Sequence, residues 1–367
     1  MDDQKAVREL ERVLERQAAA AQLQAAGRMV EALAVCEEAL SAMRQLAGEG
    51  SPDVANLLCD RAELLQQLGR YSEAAADAGK ALASLEAVAA DLPSPDGARL
   101  RLRAMALVGS LLRELGHYPE AERPLRAAVT LAEAAFAETD GHLAEALNNL
   151  GVLYKYTAAF TEAERLYQRA LHLVESAVPS DVMLQATLYH NLGGLEHARG
   201  DYEKGEPLSR KACELRAALL GDDHPATLAD AVALAGVLDG LQRYAESEPI
   251  YRKALASFES LYGPGHYEVA VNLNNLAALL AATGRPEEAV ATFRRSLAIK
   301  EALFGAAHIE VALTCHNLGV LLHARGERSP AAELLERALE IFTRSLAESH
   351  PSVQNCRQRL QSLRAAS

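Results

Sequence analysis

Tryptophan is absent from the 367 residues and aromatic side chains make up only 5% of them, although half the chain is hydrophobic. Burial must therefore come mainly from Ala and Leu, which are unbranched at Cβ and favourable in helices. Cysteine is also sparse: Cys36, Cys59, Cys213, Cys315 and Cys356 form no CxxC pair. An odd, scattered set fits core thiols in a reducing compartment better than a disulfide framework. No stretch approaches the roughly 18 apolar residues of a membrane span. The amino-terminal MDDQKAVRELERVLERQ is charged throughout, where a secretory signal would be apolar. Basic runs are missing too, and the net charge is −13; phosphate neutralisation needs clustered Lys and Arg, so nucleic-acid binding is not expected. These absences lead to the expectation of a cytoplasmic protein without membrane insertion.

Signatures of catalysis are missing as well. No GxSxG, HExxH, phosphate loop or dinucleotide fingerprint occurs, and no paired carboxylates sit where their pKa values would be driven apart. Cys315 and His316 are adjacent, but neighbours on a helix point about 100° apart, which defeats a nucleophile–base pair. The expectation is a chain that is not an enzyme and needs no cofactor. Sustained alternation of apolar and polar residues is also lacking, so no sheet is predicted.

What is present is a period. The segments QLGRYSEA, ELGHYPEA, ARGDYEKG and ATGRPEEA set a register whose turn falls at Gly27, Gly69, Gly116, Ala158, Gly200, Gln242, Gly284 and Gly326. Six of the seven intervals are 42 residues and one is 47, the excess lying in the insertion around residues 91–97. Seven residues before each turn stands Ala20, Ala62, Gly109, Gly151, Gly193, Ala235, Ala277 or Gly319, so each repeat keeps a tiny side chain where two helices can approach closely. Small residues recur five and twelve residues after each turn, as in Ala163 and Ala170. Apolar residues between them step by three and four, which is the helical period. Each repeat is therefore predicted to be two antiparallel helices. GDDHP, GPGH, GAAH and SHP punctuate the connections, where Gly stops one helix and Pro225 or Pro351 opens the next.

A helix hairpin with small residues at these offsets resembles the tetratricopeptide repeat, and NNLGVLY, EAERLYQRAL and GDDHP resemble its kinesin light chain branch. The resemblance implies an all-α, right-handed alpha-alpha superhelix. Eight helix-turn-helix repeats would form a single solenoid over residues 1–350, with a capping helix over 351–367 carrying Val353, Cys356, Leu360 and Leu363 on one side. It is strongest over residues 141–345. It weakens in the first two repeats, where Arg61 stands in the register of Leu150, Leu192 and Leu276.

The resemblance also implies that the first helix of each hairpin lines a concave groove. Two residues before the small position come Asn149, Asn191, Asn275 and Asn317, with Ala233 as the missing rung. An Asn carries both a donor and an acceptor and can pair with a peptide main chain of any sequence. Helices about 8–10 Å apart would meet an extended chain, rising about 3.3 Å per residue, roughly every three residues. The alternative is a structural Asn that bonds neighbouring helices. One residue earlier stand Asn148, His190, Asn274 and His316, read as polar groove or rim contacts. Lys155 and Tyr156, near the end of the fourth repeat's first helix, complete the candidate peptide-binding set. Glu145 and Asp239 also fall on groove positions, so no acidic-ligand preference is carried over.

His197 and His323 follow His190 and His316 by seven residues. That is about 10.5 Å along a helix, too far for one metal ion held at roughly 2 Å by each nitrogen. His224, His266, His308 and His350 keep the 42-residue spacing within the connections and are expected to cap helices. The functional expectation is a scaffold or adaptor for a protein or peptide partner. Self-association of stacked repeats into a homo-oligomer, or service as a regulatory or chaperone-like subunit of a partner enzyme, are the alternatives.

Overall fold

In the computed structural model, residues 3–25, 28–89, 94–137 and 140–365 are described. They form seventeen helices and, among these residues, no strand. The predicted turn at Gly27 and part of the insertion lie outside the described residues. The chain divides into two compact units, Met1–Asn149 and Leu150–Ser367.

In the first unit, α1 (Asp3–Ala25) packs with α2 (Met29–Ala47), α3 (Pro52–Gln67) with α4 (Tyr71–Ala87), and α5 (Pro95–Glu114) with α6 (Tyr118–Ala135). The unit boundary falls within α7 (His142–Tyr156). The second unit continues with α8 (Phe160–Ser176), α9 (Val182–Arg199), α10 (Tyr202–Leu220), α11 (Pro225–Gly240) and α12 (Tyr244–Tyr262). It ends with α13 (Tyr267–Ala282), α14 (Pro286–Phe304), α15 (Ile309–Ala324), α16 (Arg328–Ser345) and α17 (Pro351–Ala365). Hairpins α9–α10, α11–α12, α13–α14 and α15–α16 stack in order, and α17 lies on α16.

The repeated small residues act as expected. A Cβ on Gly151 would sit 2.7 Å from the Tyr167 ring, and one on Gly319 would sit 2.9 Å from Leu335 Cγ. The missing side chain is what lets the second helix of the hairpin seat its large residue. The turn residues adopt the left-handed conformation, with φ of 80° at Gly200 and 79° at Gly284. Ala158 and Gln242 hold the same register at φ 60°, so backbone geometry, rather than glycine itself, is the constant feature of the turn. On α17, which packs on α16, Val353, Cys356, Leu360 and Leu363 are all buried.

Arg61, the odd residue of the second repeat, donates two hydrogen bonds to Asp77, Nε to Oδ2 at 2.6 Å and a terminal nitrogen to Oδ1 at 2.8 Å. Asp77 occupies the register of Leu166 and is 2% exposed. A bidentate ion pair has thus replaced an apolar contact between α3 and α4, both members together. A second column alternates in kind. Ala132, Val174, Arg216, Phe258, Lys300 and Phe342 share one register and are all buried. Its two cations are matched by the following hairpin, Arg216 by Asp230 at 2.6 Å and Lys300 by Glu310 at 2.8 Å.

One edge of the second unit carries a ladder of ion pairs between successive hairpins. Arg199 meets Glu164, Arg243 meets Glu206 and Arg285 meets Glu248, each at 2.7 Å, and Arg325 meets Glu287 at 3.3 Å. Partly exposed pairs contribute little individually, about 0–1 kcal/mol. Their value lies in repetition, since each one fixes the register of one hairpin on the next.

Candidate functional site

Successive first helices touch one another, α3 with α5, α9 with α11, α11 with α13, α13 with α15 and α15 with α17. No pair of second helices makes comparable contact among the described residues. Helices that approach their second neighbours lie on the inside of a curve, so within each unit the first helices line the concave side.

On that side of the second unit, the predicted residues of α13 and α15 form a chain of amides. Asn317 Nδ2 donates to Asn274 Oδ1 at 3.3 Å, and Asn274 Nδ2 donates to Asn275 Oδ1 at 3.5 Å. All three are half-buried. Asn275 keeps its amide donor, and Asn317 keeps its carbonyl acceptor, outside this chain. The other rungs differ. Asn191 and Asn148 are each only 8% exposed and are engaged within the protein. Asn149 is half-buried and belongs to the first unit.

His190 Nδ1 lies 2.8 Å from Asp230 Oδ1, without the geometry of a hydrogen bond. The same carboxylate accepts from Arg216 Nε, whose terminal nitrogen also donates to Thr187 at 3.2 Å. Lys155 extends over Gly194 of the next hairpin, its Nζ 3.5 Å from where a Cβ would stand, and His197 repeats the arrangement over Gly236 at 3.5 Å. Lys155 is also 5.5 Å from the Tyr156 ring. His316 is half-buried beside Phe342, with ring centroids 6.4 Å apart. Asp239 proves to face its own hairpin, accepting from Ser247 and, at 2.8 Å, from Tyr251. Burial raises its pKa against those hydrogen bonds.

The histidines of the connections are caps. Nδ1 of His224, His266 and His308 accepts the main-chain N–H two residues on, each at 3.2 Å, and His350 does so at 3.1 Å. Accepting through Nδ1 requires a neutral ring. In His350 this leaves the proton on Nε2, which faces the Tyr156 carbonyl at 3.2 Å and joins the end of α7 to the start of α17. His266 and His308 also stack at 4.3 Å on Tyr262 and Phe304. Burial is the first cause that lowers the pKa of His197, His266, His316 and His350. A folded pKa below the unfolded value of about 6.5 means that the stabilisation is complete above that value and is lost as the pH falls through the lowered folded pKa values. While titrating, each such histidine contributes at most about 1.4 kcal/mol per pH unit. Thermal melting should therefore be flat above pH 7 and decline below about 6.5. The variant His266→Asn/His350→Asn, which keeps a capping side chain, should flatten that decline; an unchanged slope would remove these two caps as its origin.

The five thiols are confined to packing. Burial first of all pushes Cys36, Cys59 and Cys213 up to about 12, and Cys315 and Cys356 up to about 11, so all stay protonated at neutral pH. Among the described residues, no helix is long and apolar enough to cross a membrane.

The concave side of the first unit holds a cavity of about 390 Å³ among α3, α5, α6 and α7. Leu102, Ala106, Leu107, Leu125, Ala128 and Ala146 form its apolar lining. Arg103 forms part of the wall, its three nitrogens donating to Glu63, Asn56 and Asp60 at 2.8, 2.9 and 2.7 Å. Arg99, also in the wall, donates to Asp96 at 2.7 Å and to His142 at 3.3 Å, and lies 5.7 Å from the centre of the Phe136 ring. None of this cluster stood out in the sequence.

Comparison with known proteins agrees with this architecture. The tetratricopeptide repeat family model matches residues 9–87, 99–176, 184–260, 231–302 and 268–344. No curated protein matches the sequence. Among solved structures, a Rap protein complexed with Competence and Sporulation Factor is 16% identical with a TM-score of 0.61, covering 97% of this chain and 98% of its own. The apo form of RapI is 14% identical with a TM-score of 0.59, covering 79% and 98%. Kinesin light chain-type repeats of Podosopora anserina are 21% identical with a TM-score of 0.43, covering 57% and 99%. With family matches running from residue 9 to residue 344 and a helix-pair stack that satisfies the family's small-residue register, the chain belongs to the tetratricopeptide repeat family.

Proposed function

We propose that this chain is a non-catalytic scaffold that holds a peptide or protein segment on the concave face of its second unit. The observation that carries the reading is the amide chain of α13 and α15. It leaves a donor on Asn275 and an acceptor on Asn317, the two complements that a peptide main chain presents along an extended stretch. Asn274, His190 and His316 flank these rungs, Lys155 and Tyr156 stand at the α7 end, and Asn191 supports them from the packed side. The Rap relative was solved with Competence and Sporulation Factor, which supports a partner-holding role for a solenoid of this fold. The five protonated thiols favour a cytoplasmic setting, and the charge of −13 favours protein over nucleic acid as partner. Any enzymatic output would then belong to that partner.

Affinity capture from a cytoplasmic extract tests the reading, with the wild type beside an Asn275→Ala/Asn317→Ala variant of verified helicity. Partners lost only from the variant are expected; an identical partner set would move binding off the groove. A second reading, self-association, is favoured by the stripe Val7, Leu10 and Leu14 on α1, which is 55%, 42% and 54% exposed at one-face spacing. Light scattering of the protein alone distinguishes it, since a peptide receptor is expected to remain monomeric.

A further inference from the structure

The cavity of the first unit has a composition specific enough to name what fits it. Its three alanines, Ala106, Ala128 and Ala146, come from three different helices and leave the space open, while Leu102, Leu107 and Leu125 supply an apolar side facing a polar rim that includes Glu63, Arg99, Arg103 and Glu145. At about 390 Å³ it stands near the lower end of ligand sites, which run from about 300 to 1,000 Å³. That size suits one side chain with its flanking main chain better than a large cofactor. Two lining residues, Gln66 and Asn149, are half-buried, and among the described residues their carboxamides have no partner. Each offers a donor and an acceptor at the cavity edge.

Charge narrows the choice. Arg103 is already matched by Asp60 and Glu63, Arg99 by Asp96, and Glu145, the other carboxylate of the lining, is engaged within the protein. The Ser110 hydroxyl is spent on the Leu107 carbonyl at 3.0 Å. A charged ligand group would have to break one of these interactions or enter without a counterion, and a charge taken out of water unpaired is strongly disfavoured. Resting on the reading of this chain as a peptide-holding scaffold, we propose that the cavity seats one uncharged apolar side chain of an extended segment, with Gln66 and Asn149 pairing to that segment's main chain. This assigns the first unit its own anchoring site and gives the ligand a chemistry: aliphatic or aromatic at the anchor, flanked by free amide groups.

The probes are N-acetyl-leucine methylamide and its glutamate and lysine counterparts, each titrated against the full chain labelled at leucine methyl groups. Saturable shifts of Leu102, Leu107 and Leu125 are expected with the leucine probe, with the charged probes at least about 10-fold weaker, as one unpaired buried charge requires. Ala106→Leu grows into the empty space from a half-buried position and should abolish the shifts while the fold survives. Gln66→Ala and Asn149→Ala should each weaken binding about 2- to 10-fold, the worth of one neutral hydrogen bond. Equal binding of charged probes, or no effect of Ala106→Leu, overturns the proposal. Because Asn275 and Asn317 take no part in this titration, failure here leaves the groove of the second unit standing. Failure of the capture experiment likewise leaves the cavity result intact.

Discussion

Replacing Asp230 by alanine is expected to destabilise the second unit by about 3–5 kcal/mol, the cost of leaving a buried charge without its partner. Asp230 is 2% exposed and Arg216 is 8% exposed, so water cannot take over the role of the lost carboxylate. The arginine arrives from α10, the aspartate from α11 and His190 from α9, which makes one carboxylate the meeting point of two adjacent hairpins. Thr187 cannot compensate, since its hydroxyl accepts only one weak contact at 3.2 Å from the guanidinium. The pair itself is not the source of stability. Taking both charges out of water offsets most of their attraction, so Asp230→Ala combined with Arg216→Met should recover most of the loss. Urea unfolding of the two single variants and the double variant checks this. A loss below about 1 kcal/mol for Asp230→Ala would show that the site is not desolvated, and a double variant no better than the single would show that the pair acts through something besides its charges.

What the sequence made legible follows from how repetition works. Every hairpin solves the same packing problem, so Gly151, Gly193 and Gly319 recur at one register, the turn keeps its left-handed residue, and the four histidines recur as caps. Each of these is a local requirement repeated at 42 residues, which a single sequence displays as a period. The apolar stripe of α17 was readable from the same three- and four-residue steps. Polar interactions that occur once have no period to reveal them. Arg216 and Asp230 are 14 residues apart, and Arg103 reaches Asp60 across 43; in sequence, both arginines look like the solvated side of a helix. The asparagines illustrate the limit of register itself. Asn191 and Asn275 share a position, yet Asn191 is buried and Asn275 is half-buried, so register alone does not set exposure. Arg61 was conspicuous as an exception, but its explanation needed Asp77, which only the helix pairing brings beside it.

Phe258→Ala is expected to cost about 3–5 kcal/mol, as large-to-small substitutions of buried aromatic residues do, and to act over a short range. Phe258 is 1% exposed and occupies the register in which Arg216 and Lys300 stand one hairpin before and after. The arginine and lysine each reach a carboxylate of the next hairpin. Phe258 has no such tether, and its ring packs in the contact between α12 and α13 beside the buried hydrogen bond from Asn272 Nδ2 to the Tyr251 carbonyl at 2.7 Å. That ring stacks on Tyr262 at 6.2 Å, and Tyr262 stacks at 4.3 Å on His266, the cap of α13. Removing it opens a cavity and loosens the residue that holds the capping imidazole in place, so two supports of one interface fail together. In a repeat array, stability is a sum of unit and nearest-neighbour terms, and this substitution weakens mainly one interface term. Hydrogen exchange should therefore accelerate in α11 to α14 and remain unchanged in α16 and α17. Uniform acceleration across the second unit would instead mean that its hairpins unfold as one cooperative block, with the contact of His350 at the Tyr156 carbonyl as the first element to remove in order to uncouple them.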